Sequence, residues 1–233
     1  ELELAWRFNT DNLGPRPETN YQSTPLMVDG ILYVTAGSRR AVVALDPETG
    51  ELLWMHRLDE GERGETAPRR LSGRGLTYWN DGQDGVILYV TPGYQLVALH
   101  ARTGTRVQSF GEDGVIDLKQ NIDQDLEPTA EIGLHAAPVV AGNTIIIGAA
   151  HRPGGAPPSR TNVKGYVRGF DVRTGDGFLT ISDYLVPEGR PVTNGACLLN
   201  VCTCANGTGS QGVHCPEDGA EHCAGCEGGH HLE

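Results

Sequence analysis

The sequence predicts an all-β chain of about three repeated four-stranded units, followed by a small disulfide-rich tail. Three observations predict it. A phrase ending in Thr-Gly recurs at residues 42–54, 96–104 and 166–175. Apolar runs interrupted by glycine-containing turns lie upstream of the copies, and no stretch keeps a helical period over three turns. All six cysteines lie beyond residue 196. A unit that recurs in this way cannot bury its own apolar face and must stack on its neighbours. Four-stranded sheets stacked in sequence are blades, so the fold class is a partial β-propeller.

The elements follow in order. Residues 24–34 are two short strands about Asp29-Gly30, a dipeptide suited to a tight hairpin. Val42-Val43-Ala44-Leu45 is a third strand, rich in β-branched residues. Asp46 is placed to accept backbone amides two residues on, and Gly50 supplies a positive φ. Leu52-Leu53-Trp54 begins the returning strand, and Trp54 is large enough to lie against the adjacent blade. The second unit repeats this at 86–90 and 96–104, with His100 where the other copies have Asp. The third has strands at 137–148 about Gly142-Asn143, then the phrase at 166–175. Residues 1–175 therefore read as about three blades, 176–192 as a linker, and 193–233 as a cysteine-rich module.

The formal net charge is −12, which argues against nucleic acid or an anionic membrane as a partner. No apolar run is long enough to span a bilayer. The chain opens Glu1-Leu2-Glu3-Leu4 with no initiator Met and no apolar leader, which reads as a fragment.

Several segments in the first 175 residues resemble one family, in its order and at compatible spacing. They are Ala5-Trp6-Arg7-Phe8, residues 24–33, residues 44–54, and Arg74-Gly75-Leu76-Thr77-Tyr78. Gly133-Leu134-His135-Ala136-Ala137-Pro138 and Gly165-Tyr166-Val167-Arg168-Gly169-Phe170-Asp171 complete the set. Together they resemble the N-terminal part of the dehydrogenases that use pyrroloquinoline quinone (PQQ), the membrane glucose dehydrogenase type in particular. The resemblance implies an eight-bladed propeller with PQQ on the axis. It implies oxidation of a small-molecule alcohol or aldose sugar, with electrons passed to a quinone or a haem.

Carried over residue by residue, the resemblance makes Arg74 a cofactor ligand. PQQ carries carboxylates, and a guanidinium fork suits them better than an ammonium does. Arg70 stands where glucose dehydrogenases place a histidine over the cofactor, and Gly73 where many relatives have a cysteine. His135, next to a strand start, reads either as a funnel residue or as a hydrogen-bonded structural one. Arg160 and Lys164, before the third phrase, read as site residues or as a solvated basic pair. The family's catalytic aspartate, its divalent metal ligands and its quinone-contacting lysine lie in later blades, so no residue here is assigned as catalytic. Three blades cannot close a ring, since propellers use about four to eight. The open blade edges imply possible self-association.

The tail differs in composition. Cys197, Cys202, Cys204, Cys215, Cys223 and Cys226 crowd a stretch poor in apolar residues and free of Lys and Arg. An even cysteine number in a small glycine-rich module reads as a disulfide framework, with fifteen possible pairings. A second reading gives Cys202, Cys204, Cys223 and Cys226 to zinc, with His214 and His222 nearby. The run Cys202-Thr203-Cys204-Ala205-Asn206-Gly207-Thr208 with the later Cys223-Ala224-Gly225-Cys226 resembles a secreted EGF-like repeat. Asn206 is the acceptor of a formal glycosylation sequon. Disulfides imply an extracellular, periplasmic or lumenal location.

Three functions follow from the sequence: a quinoprotein dehydrogenase fragment inactive as this isolated chain, a non-catalytic secreted propeller/EGF-like binding module, or a non-functional gene fusion. Further blades beyond these residues would favour the first, and further Cys-Thr-Cys repeats the second.

Overall fold

The structure is a computed structural model and describes residues 2–14, 21–68, 70, 75–82, 84–122, 124–151, 162–182, 207–209 and 223–226. The chain divides into two compact units, Glu1–Asp183 and Tyr184–Glu233.

The first unit holds three antiparallel four-stranded sheets, each in simple sequence order. The first comprises β1 (Leu26–Val28), β2 (Ile31–Ala36), β3 (Ala41–Leu45) and β4 (Leu52–His56). The second comprises β5 (Thr77–Asn80), β6 (Gly85–Val90), β7 (Gln95–His100) and β8 (Val115–Asp117). The third comprises β9 (Val139–Ala141), β10 (Thr144–Ile147), β11 (Tyr166–Asp171) and β12 (Gly177–Ser182). These are the expected three blades of an all-β partial propeller. One helical turn, α1 (Glu62–Glu65), interrupts the connection between the first two. The strand β12 falls inside the stretch expected as a linker. Its Gly-Phe-Leu-Thr-Ile-Ser sequence pairs along β11 from Tyr166↔Ser182 to Phe170↔Gly177.

The alternation of the middle sheet divides the core in two. Leu88 faces Ala98 and Val90 faces Leu96 across one surface; Ile87 faces Leu99 and Tyr89 faces Val97 across the other. Cross-strand partners share a face. Leu88, Val90, Leu96 and Ala98 pack with Ile145, Ile147 and Phe170 of the third sheet. Ile87, Tyr89, Val97 and Leu99 pack with Tyr33, Val42 and Ala44 of the first. Each fully buried side chain of Leu or Ile size contributes roughly 1.5–3 kcal/mol of transfer free energy. The other face of the first sheet, with Val34, Val43 and Leu45, is covered by Trp6, Phe8 and Leu13. On the third sheet Val139, Ile146 and Val167 stay exposed at 58%, 36% and 44%.

The repeated phrase is a repeated turn. Gly50 N–H donates to Asp46 O, Gly104 N–H to His100 O, and Gly175 N–H to Asp171 O, at 2.8, 2.8 and 2.9 Å. The three glycines have φ of 73°, 69° and 78°. Asp46 Oδ1 accepts the amides of Glu48 and Thr49, and Asp171 Oδ1 those of Arg173 and Thr174. These bonds hold both carboxyls below the usual aspartate range. At the second turn, where His100 replaces the aspartate, the Thr103 and Thr105 hydroxyls bond each other at 2.7 Å.

Trp54 lies on the second of these turns. Its indole N–H donates to Ala101 O at 2.9 Å, and a Cβ on Gly104 would meet the ring at 2.4 Å. It is partly buried and joins the core between the first two sheets, as the repeat predicts. Trp6 stands in the same way on the first turn, with its N–H on Pro47 O at 2.9 Å.

Of the second unit, the described residues form a two-stranded ladder of β13 (Gly207–Gly209) and β14 (Cys223–Cys226). Cys223 and Cys226 lie on that strand. Cys197, Cys202, Cys204, Cys215 and Asn206 lie outside the described residues, so the disulfide, zinc and glycosylation readings rest on sequence.

Candidate functional site

An antiparallel sheet in sequence order sends its second turn and its outgoing connection to the same end. The turns at 37–40 and 91–94 and the connections 57–76 and 118–138 therefore gather at one end of the blades. That is the end to which the sequence assigns its candidate ligands.

Three arginines cap main-chain carbonyls of neighbouring segments there. Buried Arg40 donates through Nη1 to Val90 O at 3.0 Å. Buried Arg168 donates to Leu118 O at 2.9 Å, its guanidinium 4.8 Å from the Phe170 ring centre. Arg63, from α1, donates through Nε to Gly93 O at 2.7 Å and forks onto Asp117. A guanidinium serves these places because it reaches several acceptors in one plane.

Between the turn at 37–40 and α1 lies a cavity of about 310 Å³. Ser38, Arg39, Asp59, Glu60, Glu65 and Arg70 supply its polar walls. Arg39 pairs with Asp59 at 2.8 Å, and Arg70 Nη1 donates to Glu65 O at 2.8 Å. Glu60 accepts from the Thr91 hydroxyl at 2.6 Å and from Gly93 N–H at 2.8 Å. Burial pushes its carboxyl above the ordinary glutamate value against the pull of those two bonds.

This cavity does not fit a cofactor with several carboxylates. Both of its guanidinium groups are engaged, and three carboxylates line it, so an anionic ligand would meet like charge. Arg70 is thus brought to a polar cavity and not to a cationic cradle.

The other sequence-predicted residues are scattered. Arg74 and Gly73 lie outside the described residues; the chain resumes at Gly75, whose φ of 112° leads into β5. Arg160 also lies outside them. His135 is half-buried on the connection 118–138, with its Nδ1 shielded from solvent. The backbone amide of Lys164 donates to Gln124 Oε1, whose Nε2 donates to Asn162 O, and these bonds tie two loops together. Among the described residues no group of three or more His, Cys, Asp or Glu is placed to hold a metal ion. Nor is any helix among them long and apolar enough to cross a membrane.

Sequence reading missed Glu60, Arg63, Asp117 and Lys119. The one visible signal was Asp117-Leu118-Lys119, charges set directly after an apolar strand. The Lys119 ammonium is buried and donates to Pro128 O and Ala130 O. Burial, then the Arg63 charge, bring its pKa down to about 8. Burial opposes ionisation of Asp117, but the Arg63 fork and the Lys119 amide outweigh it and hold this carboxyl below the ordinary value.

Stacked four-stranded blades, each with a recurrent Thr-Gly turn after its third strand, define the chain as part of a propeller. Residues 1–178 match the family described as PQQ: Glucose/ethanol/alcohol dehydrogenase, beta-propeller domain, and the chain belongs to it. Among curated relatives it is 31% identical over 183 residues to the dehydrogenase subunit of alcohol dehydrogenase (quinone) from Gluconacetobacter polyoxogenes. That alignment covers 75% of this chain and 20% of the relative. Quinoprotein glucose dehydrogenase A from Acinetobacter calcoaceticus is 26% identical over 202 residues, covering 75% of this chain and 24% of the relative. The solved structure of a europium-containing methanol dehydrogenase superposes with a TM-score of 0.57 at 22% identity. It covers 77% of this chain and 27% of that one, and shows the fold alone. The chain spans 20% to 24% of the length of these curated relatives.

Proposed function

We propose that these blades belong to a quinoprotein dehydrogenase that oxidises an alcohol or an aldose sugar with PQQ and passes electrons to a quinone or a haem. The observation that carries the reading is the family match over residues 1–178, together with three stacked blades. The alcohol-acting relative is 31% identical and the glucose-acting one 26%, so the lineage does not single out the glucose type. When bound, PQQ supplies the two-electron acceptor. This chain's share of the site is Arg74, which would hold a carboxylate of the cofactor.

As an isolated chain it is proposed to be inactive. One charge-assisted contact contributes about 1.5–3 kcal/mol, whereas micromolar binding needs about 8 kcal/mol. Titration of PQQ into the purified chain, followed by absorbance, is expected to show no saturation at low micromolar concentration. Saturation that vanishes in Arg74→Ala would show that the site is already sufficient.

The crowding of six cysteines after residue 196 supports a second reading, a secreted non-catalytic module with an EGF-like repeat. It places the chain outside the cytosol, with the exposed apolar face of the third sheet as its self-association surface. Sequencing of the transcript on both sides separates the two: further blade repeats carry the dehydrogenase reading, further Cys-Thr-Cys repeats the module. Mass spectrometry of the non-reduced chain should find six hydrogens fewer than in the reduced form if the disulfide framework is right.

A further inference from the structure

The connection 57–76 is poor in apolar anchors: of its described residues only Ala67, Pro68 and Leu76 bury an apolar side chain. So little apolar burial leaves much of its placement to polar contacts. Arg63 supplies the largest set. Its Nη1 bonds Asp117 Oδ2 at 2.7 Å, its Nη2 bonds Asp117 Oδ1, and its Nε bonds Gly93 O at 2.7 Å. The two side chains are 14% and 30% exposed, so water competes little for the pair.

Each partner is itself held. Asp117 accepts the Lys119 amide at 2.9 Å, and the Lys119 ammonium anchors to carbonyls of residues 128 and 130. Glu60 grips the turn at 91–94 from the other side, through Thr91 and Gly93. A Cβ on Gly93 would stand 2.5 Å from Glu60 Oε1 and 2.8 Å from Arg63 Cγ, so only glycine admits both. The contacts then run outward through α1. Its last residue, Glu65, bonds its amide to Gly61 O and offers its carbonyl to the Arg70 guanidinium.

We propose that the Arg63–Asp117 fork, with Glu60 and Lys119, is a positioning latch. It fastens residues 57–68 to the second blade and thereby sets where α1 and, through the Glu65 carbonyl, the Arg70 guanidinium stand at this end of the blades. Arg63 and Asp117 are positioning residues, not catalytic ones. The latch does not rest on the dehydrogenase reading.

Hydrogen exchange of the full chain, read by mass spectrometry without cofactor, tests it. Asp117→Asn is expected to speed exchange in residues 57–68 at least tenfold, while β3 and β7 exchange as in the wild type. Arg63→Lys, which keeps the charge but loses the fork, is expected to give a smaller change of the same sign. Modification of Arg70 by phenylglyoxal, followed on its own peptide, should rise at least threefold in Asp117→Asn. Asp117→Glu, which can restore the fork, should recover most of the protection. Unchanged exchange at 57–68, or faster exchange there only in step with β3 and β7, would overturn the latch. If Asp117→Asn does not fold, Arg63→Lys decides by the same two regions. No PQQ is present, so failure here leaves the dehydrogenase reading standing, and a failed cofactor titration leaves the latch standing.

Discussion

The two blade junctions solve one packing problem with different side chains. At the first, Trp54 fills the space over Gly104 and donates its indole N–H to Ala101 O. At the second, Ile116 takes that space: a Cβ on Gly175 would lie 2.5 Å from its Cδ1. Isoleucine has no donor, and the junction is closed by other groups. Gly111 N–H donates to Thr174 O at 2.8 Å, the Trp79 indole N–H to Gly142 O, and the Arg173 guanidinium lies 4.9 Å from the Trp79 ring centre. The turn demands glycine both for its positive φ and because a large side chain is stacked on it. The identity of that side chain is open, provided polar contacts elsewhere make up the loss.

The comparison breaks most sharply at Trp54. Trp54→Ala should cost about 3 kcal/mol, the low end for such truncations because the ring is partly exposed. Urea unfolding at constant slope would read it as a lower midpoint. A loss below about 1 kcal/mol would mean that the indole adds no more at its junction than a small aliphatic.

Gly104→Ala probes the same contact from below, against Gly30→Ala as the reference. Both sites have positive φ, 69° and 77°, but nothing lies within 4 Å of a Cβ on Gly30. A left-handed alanine costs about 1 kcal/mol, and overpacking against Trp54 should add roughly 1 more at residue 104. In the Trp54→Ala background that excess should disappear, since contacting residues are not additive. Equal losses at 30 and 104 would show that the indole yields freely. Ile116→Val should cost about 1 kcal/mol, the ordinary value for one methyl group.

The fold was legible because its repeat is local. Asp46 and Gly50 announce a turn, and the apolar runs at 86–90 and 96–99 announce strands. The junction partners were legible only where tryptophan marked them. Ile116 is one apolar residue among many, and its neighbour across the junction, Gly175, is 59 positions away. The candidate site was the least legible. Glu60 and Arg63 come from one connection, Asp117 and Lys119 from the end of β8 and just after it, more than 50 residues away, and their burial depends on folding. Arg74 came from resemblance alone.

The smallest expected effect distinguishes the junctions by pH. At the first, the His56 Nδ1 and the Tyr89 hydroxyl share a hydrogen bond of 3.1 Å. Burial, then the nearby Arg106 charge, lower the His56 pKa below 6.5. A tyrosine bond at the second junction runs instead from the Tyr94 hydroxyl to Gly148 O, and a carbonyl does not titrate. The unfolded chain therefore takes up a proton at residue 56 before the folded chain does. Its contribution is fully present above about pH 6.5 and is lost as pH falls from there toward the lowered folded value. His56→Gln keeps a partner for Tyr89 and cannot titrate. Its urea midpoint should fall less than the wild type's between pH 7 and pH 5, with the difference between the two proteins cancelling the other seven histidines. An equal fall in both would remove His56 as an acid-sensitive element and leave the two junctions alike in this respect.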